Sequence, residues 1–213
     1  MQFLSATTFL AKVGADVVVL DARNSAYFCL PGAAEAMRTQ DGQVTFSDPD
    51  LALAFEDAGF LVHGPAPRPA GGLRRPTRDL GQAVAERVTI GDLALILRAW
   101  LWMLPAYHGR RFDRLLNTAR RGRKADASAE PSAEVQRLVA AFERVLPWLP
   151  FQGVCLYRAF LLMRILRWRG HHARWVFGVH TWPFQAHCWL QIGDTALDDA
   201  ADRLTAFEPI MEV

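Results

Sequence analysis

Three places far apart in this chain carry side chains that together could do covalent chemistry: a cysteine at 155, a histidine at 187 and a pair of aspartates at 198 and 199. A cysteine sulfur is a strong nucleophile only as the thiolate, and an ordinary thiol, with a pKa of about 8.5, is mostly protonated at neutral pH. A histidine held against it completes an ion pair and later gives a proton to a leaving amine. A carboxylate on the far side of the imidazole fixes its tautomer and stabilises the imidazolium. Cys155 precedes His187 by 32 positions and His187 precedes Asp199 by 12, so only the tertiary fold can bring them together. Taken singly, each has a structural reading: free cysteine is among the most buried residue types, a strand histidine often fills a partly buried position, and "LDD" after a hairpin suits a solvated strand end. The joint arrangement is what points to acyl chemistry.

These residues need particular elements to hold them. Pro150 and Gly153 place a helix start near residue 153, and "CLYRAFLLMRILRW" then runs to a stop at Gly170. Cys155 would lie in the first turn, where unpaired N–H groups and the helix dipole favour negative charge and could hold an oxyanion. Gln152 is a side-chain candidate for the same oxyanion. Three strand candidates follow at 173–179, 186–192 and 195–199, the last two joined across Gly193 and Asp194, a turn pair in hairpin position. Alternation sends His187 to the face of Gln185 and Trp189 and Cys188 to the opposite one, so Cys188 reads as core pointing away from the site. The turn brings Asp198 or Asp199 back toward the histidine, and either could orient it. Upstream, Thr89 reads as the N-cap of "IGDLALILRAWLWML", with Asp92 in its first turn and Pro105 ending it; further helices cover "RRFDRLLNTARR" and "SAEVQRLVAAFERVL".

Residues 1–65 read as a separate unit. "DVVVLDA" (16–22) and "AYFCL" (26–30) form a hairpin across "RNS". Pro31 and Gly32 open a helix over "GAAEAMRT". A second helix in "SDPDLALAFEDAG" is capped by Ser47 or Asp48 and stopped at Gly59, and "FLV" closes the unit. Residues 66–79, rich in proline, glycine and arginine, read as a linker, and 80–213 as the second domain. The fold class is α+β.

Composition narrows the function classes. The chain of 213 residues is 51% hydrophobic and 22% charged, enough for a real core, with a formal charge of only +2. The basic run from Arg110 to Lys124 reads as a solvated helix face or a contact for an acidic partner, and no glycine-rich phosphate loop or nucleic-acid motif accompanies it. No segment has 18 uninterrupted apolar residues, and the first residues lack the pattern of a secretory signal. Three widely spaced cysteines suit a reducing, cytoplasmic setting. His171, His172 and His180 lack a cysteine or carboxylate at ligand spacing, so no metal is expected.

The stretches "CLYR", "FQAHCW" and "LDD" occur in the order and near the separations found in the lasso peptide biosynthesis B proteins, which the chain resembles over about residues 150–200. The resemblance implies a transglutaminase-like, papain-related domain over 80–213, with a nucleophile-bearing helix packed on antiparallel strands. It implies a leader cysteine peptidase with Cys155, His187 and Asp199 as its triad, although family members often carry "ND" where this chain has Asp198 and Asp199. The N-terminal unit is similar to the winged-helix, PqqD-like precursor recognition element found fused to such peptidases. That likeness implies a leader bound as an added strand, with Ala26, Tyr27, Phe28, Cys29 and Leu30 and the helix at about 48–58 lining the groove. The implied partners are the precursor peptide and an asparagine-synthetase-like cyclase that uses ATP to close a macrolactam; no cofactor is expected in this chain, so any ATP dependence would come through the cyclase. Two rival readings share these features: an acyltransferase or transglutaminase on the same fold, with an amine as acceptor, and a non-catalytic adaptor that presents the precursor.

Overall fold

The computed structural model describes residues 2–40, 43–64, 74–81, 87–107, 111–121, 130–150 and 155–213. Its first part is built mainly from strands: β1 (Gln2–Leu4), β2 (Thr8–Val13), β3 (Asp16–Asp21), β4 (Ala26–Leu30), β5 (Met37–Gln40) and β6 (Gln43–Phe46), then α1 (Pro49–Asp57) and β7 (Leu61–His63). They form two antiparallel sheets, in the orders β2-β3-β4 and β5-β6-β1-β7. Every residue of β3 is buried, its apolar stretch at 17–20 being covered on both faces. Val17 and Val19 enter a small cluster with Leu4, Val44 and Phe55, whereas Val18 and Leu20 enter the main core.

The hairpin of β3 and β4 lies where alternation predicts it. The helix expected over 32–39 is not there: the chain turns through 31–36 and enters β5. An alanine-rich run favours helix locally, but here non-local partners outweigh it. Met37 is buried in the small cluster and opposite Phe46, and the Lys12 ammonium donates to the carbonyls of Ala34 and Met37. In α1 the cap is Asp48, whose carboxylate accepts from the Asp50 N–H, and Gly59 turns the chain at a φ of +68°.

The second part contains β8 (Arg78–Asp79), α2 (Ile90–Tyr107), α3 (Phe112–Arg120), α4 (Ala133–Val145), a 3-10 turn (Leu146–Trp148), α5 (Cys155–Trp168), β9 (Arg174–His180), β10 (Gln185–Ile192), β11 (Thr195–Ala196), α6 (Ala201–Leu204) and β12 (Glu208–Glu212). Its sheet has the order β12-β9-β10-β11-β8 and is antiparallel except for the β11–β8 pair. Of the expected linker, residues 66–73 lie outside the described residues, whereas Arg78 and Asp79 are part of this sheet and Thr77 is hydrogen-bonded to Asp194.

α5 is buried nearly all round, with Phe160, Leu161, Leu162 and Ile165 inaccessible to solvent, and it packs against β10 and between α2 and α4. Burying each such side chain contributes about 1.5–3 kcal/mol. α2 opens on a reciprocal cap in which Thr89 and Asp92 exchange hydrogen bonds, and Arg137 neutralises the buried Asp92 carboxylate at 2.8 Å. α2 does not stop at Pro105 but continues to Tyr107; a proline within the last turn removes one backbone hydrogen bond without preventing the turn. By length and composition α2 could cross a membrane, but here its Ile96, Ala99 and Met103 face lies in the main core.

That core does not end at the second part. Ala11, Val18, Leu20 and Ala22 belong to it together with Phe160, Trp175, Phe177 and Leu190. β2 lies beside β12, the Trp182 indole donates to Asp16 at 2.7 Å, and the Arg111 guanidinium donates to the Arg23 carbonyl at 2.8 Å.

Candidate active site

Cys155 is the first residue of α5, at the positive end of a long buried helix. Its sulfur shares the lining of one cavity with His187 and Cys188, whose side chains both favour its charged form. His187 sits on β10 opposite Gly178 of β9. Its ring is stacked on Trp189, with centroids 6.3 Å apart, and tilted against Phe207 at 5.3 Å. Gly178 makes room for this packing: a Cβ there would come within 2.8 Å of the Trp189 ring.

His187 Nε2 lies 2.6 Å from Asp199 Oδ2, with both side chains nearly buried. Nδ1 is therefore the ring nitrogen left for the sulfur. Asp199 also accepts from the Ala200 N–H at 2.9 Å and from Arg203 at 3.3 Å. Asp198 is turned the other way, buried and accepting from the Leu190 N–H at 2.8 Å. The strand expected over 195–199 ends at Ala196, and both aspartates lie in the bend that follows. Leaving the ladder lets Asp199 turn toward β10 while Asp198 pins the bend to it.

The surroundings shift these groups in a consistent direction. The Cys188 thiol donating to Cys155 and the adjacent His187 hold the Cys155 thiol down at about 4, against the effect of burial. Burial alone would lower His187, but the Asp199 carboxylate and the Cys155 sulfur carry it up to about 9. Between those values the pair is thiolate and imidazolium. Burial works against the Asp199 carboxylate, yet the His187 hydrogen bond keeps it below the ordinary carboxylate range. Asp198 is pushed up to about 6 by burial. Burial likewise raises Cys188, which stays a neutral donor.

Cys188 is a correction to the reading from alternation. It points away from His187 but not from the site, because α5 packs on the Cys188 face of β10 and brings its first residue over that thiol. Gln152 lies outside the described residues.

A cavity of about 270 Å³ opens beside Cys155 and His187. Of the candidate leader-binding residues on β4, Tyr27 borders it, with its ring 5.6 Å from that of Phe184. Cys29 packs against the main core, half-buried. Phe28 points the other way, 45% exposed and against Phe60, and Leu30 packs on the small cluster. Ala26 pairs with Asp21 at the strand's start. β4 is an outer strand of its sheet. α1 packs on β6, and its Phe55 lies in the small cluster. His171 sits in the loop after α5, 3.1 Å from Glu134.

A cysteine at a helix start, an imidazole and a carboxylate beside an open cavity are residue types that could carry acyl transfer. Within the chain, residues 95–212 match the family model of the Transglutaminase-like superfamily, more than half of the sequence. The Microcin J25-processing protein McjB of Escherichia coli is 35% identical over 63 residues, which span 30% of this chain and 30% of that protein. No solved structure matches the chain. Cys155, His187 and Asp199 all fall inside the span matched by the family model, and the chain belongs to the transglutaminase-like superfamily.

Proposed function

We propose that this protein is a cysteine peptidase of lasso peptide maturation, which binds the leader of a precursor peptide and cleaves it from the core. The observation that carries the reading is one imidazole, His187, that lies 2.6 Å from Asp199 and borders the same cavity as Cys155. The likeness to a microcin-processing protein supplies the substrate class.

In this mechanism Cys155 Sγ attacks the carbonyl carbon of the scissile bond. Backbone N–H groups at the start of α5 face the developing oxyanion. The His187 imidazolium gives its Nδ1 proton to the departing amine, which leaves as the free N-terminus of the core, and a thioester joins the leader to Cys155. Neutral His187 then takes a proton from water as the oxygen attacks the thioester. The leader leaves with a carboxylate, and the thiolate and imidazolium are restored. Asp199 holds the ring throughout. The freed core amine would pass to an ATP-using, asparagine-synthetase-like cyclase.

The first part of the chain, as a PqqD-like recognition element, would receive the leader along the outer edge of β4 near α1. Main-chain hydrogen bonds there supply affinity and side-chain pockets supply selectivity. Free cysteines suit a reducing compartment such as the cytoplasm.

The test is incubation with a leader-bearing lasso precursor, products being weighed by mass spectrometry. The expected products are leader and core, their masses summing to precursor plus water. An amine adduct in place of the free leader acid would make the protein an acyltransferase. Maturation that persists in Cys155→Ala would make it an adaptor.

A further inference from the structure

We propose that the β3–β4 hairpin is part of the substrate-cleaving site itself, with Tyr27 forming the wall of a pocket beside Cys155 that takes an apolar side chain from the acyl side of the attacked bond. The proposal rests on the peptidase reading and adds to it the class of residue selected and the part of the chain that selects it.

The cavity has two sides drawn from distant stretches of sequence. Leu20, Ser25 and Tyr27 come from the hairpin, and Phe112, Leu156 and Phe177 face them from the second part. At about 270 Å³ the space admits one branched or aromatic side chain. Among the described residues that border it, His187 is the one that can be cationic, and none is a carboxylate. His187 is already engaged by Cys155 and Asp199, so a charged substrate side chain would be desolvated without an ion-pair partner among the described lining residues. An aliphatic or aromatic one would gain from losing water.

The hairpin wall is held in place. Leu20 is fully buried in the shared core, Asp16 at the foot of β3 accepts from Trp182, and the Arg23 carbonyl at the hairpin turn accepts from Arg111. Tyr27 packs on Phe184, which lies next to the strand that carries His187. A peptide laid along the outer edge of β4 would lie on the strand that already carries the pocket wall. Capture and cleavage would then share one strand of the protein.

The test uses the full chain and a set of dipeptidyl chloromethyl ketones with Gly, Asp, Leu or Phe at either position, which alkylate a cysteine with loss of chloride. Rates of Cys155 modification are read by peptide mass mapping. Iodoacetamide, which has no side chain to place, reports the nucleophile alone. The expected result is that Leu or Phe at one position reacts at least about tenfold faster than Gly or Asp there. Tyr27→Ala should collapse that ratio toward one, and Tyr27→Phe should keep it. Equal rates across the set in a protein whose Cys155 reacts readily with iodoacetamide would overturn the pocket and leave the peptidase reading standing. A full ratio retained in folded Tyr27→Ala would overturn the role of the hairpin. A Cys155 no more reactive than free cysteine toward iodoacetamide at pH 6 would remove the peptidase reading, and the pocket with it.

Discussion

Across one cavity Cys155 and His187 face Leu20 and Tyr27, yet the two sides come from opposite ends of the chain and hold their residues by different physics. On the C-terminal side the proposed mechanism gives each group a task that few other side chains can perform. A sulfur sits at a helix start, an imidazole on a strand, and a carboxylate in a bend, and their influence on one another depends on charge. On the N-terminal side Leu20 and Tyr27 offer shape and apolar surface, which other side chains of similar volume would also provide. Substitution on the first side should therefore abolish or retune the chemistry, whereas substitution on the second should change which peptide is accepted.

The sharpest way to test this contrast is to remove the nucleophile. Cys155→Ala should lower leader cleavage at least about 10⁴-fold with leader binding retained, as read by precursor turnover and by titration with labelled leader. Asp199→Ala comes next, with a loss of about 10²- to 10³-fold. It carries a directional signature: without the carboxylate the imidazolium is less stable, so the alkaline limit of activity, set by His187 near 9, should move to lower pH. Gly178→Ala forces a methyl group into the Trp189 ring behind His187 and should cost about 1–3 kcal/mol of stability, read as a lower urea midpoint. Cys188→Ala is the mildest. It removes a donor to the thiolate, so the Cys155 thiol should titrate above 4 and the loss should be confined to the acid limb of the pH–rate profile.

Much of the C-terminal side was legible in the sequence, for physical reasons. The α5 run has the length and apolarity of a central helix, with Gly170 to end it, and Gly193 and Asp194 announce the hairpin after His187. Alternation placed His187 and Cys188 on opposite faces of β10, but it cannot say which face the nucleophile helix covers, and that choice puts Cys188 at the site. Nor could it separate Asp198 from Asp199, because the two leave the ladder and diverge in a bend.

The N-terminal side was harder to read. The helix expected over 32–39 gave way to β5 because pairing of Met37 with Phe46 is a long-range event that local propensity does not register. β1 and β2 are short and only partly buried, so their patterns are weak, and the sequence pattern that marks residues 1–65 as a separate unit does not register that Val18 and Leu20 enter the main core. Tyr27 carries no motif that would announce a place beside Cys155.

The central claim is that Cys155 is an anion at neutral pH because His187, Cys188 and the start of α5 make it one. The measurement that reaches it most directly is the rate of Cys155 alkylation by iodoacetamide from pH 3 to 10, followed by peptide mass mapping. The expected result is a rise with a midpoint near 4 and a plateau through neutrality up to the titration of His187 near 9. A single rise centred at about 8.5, the value of an ordinary thiol, would contradict it.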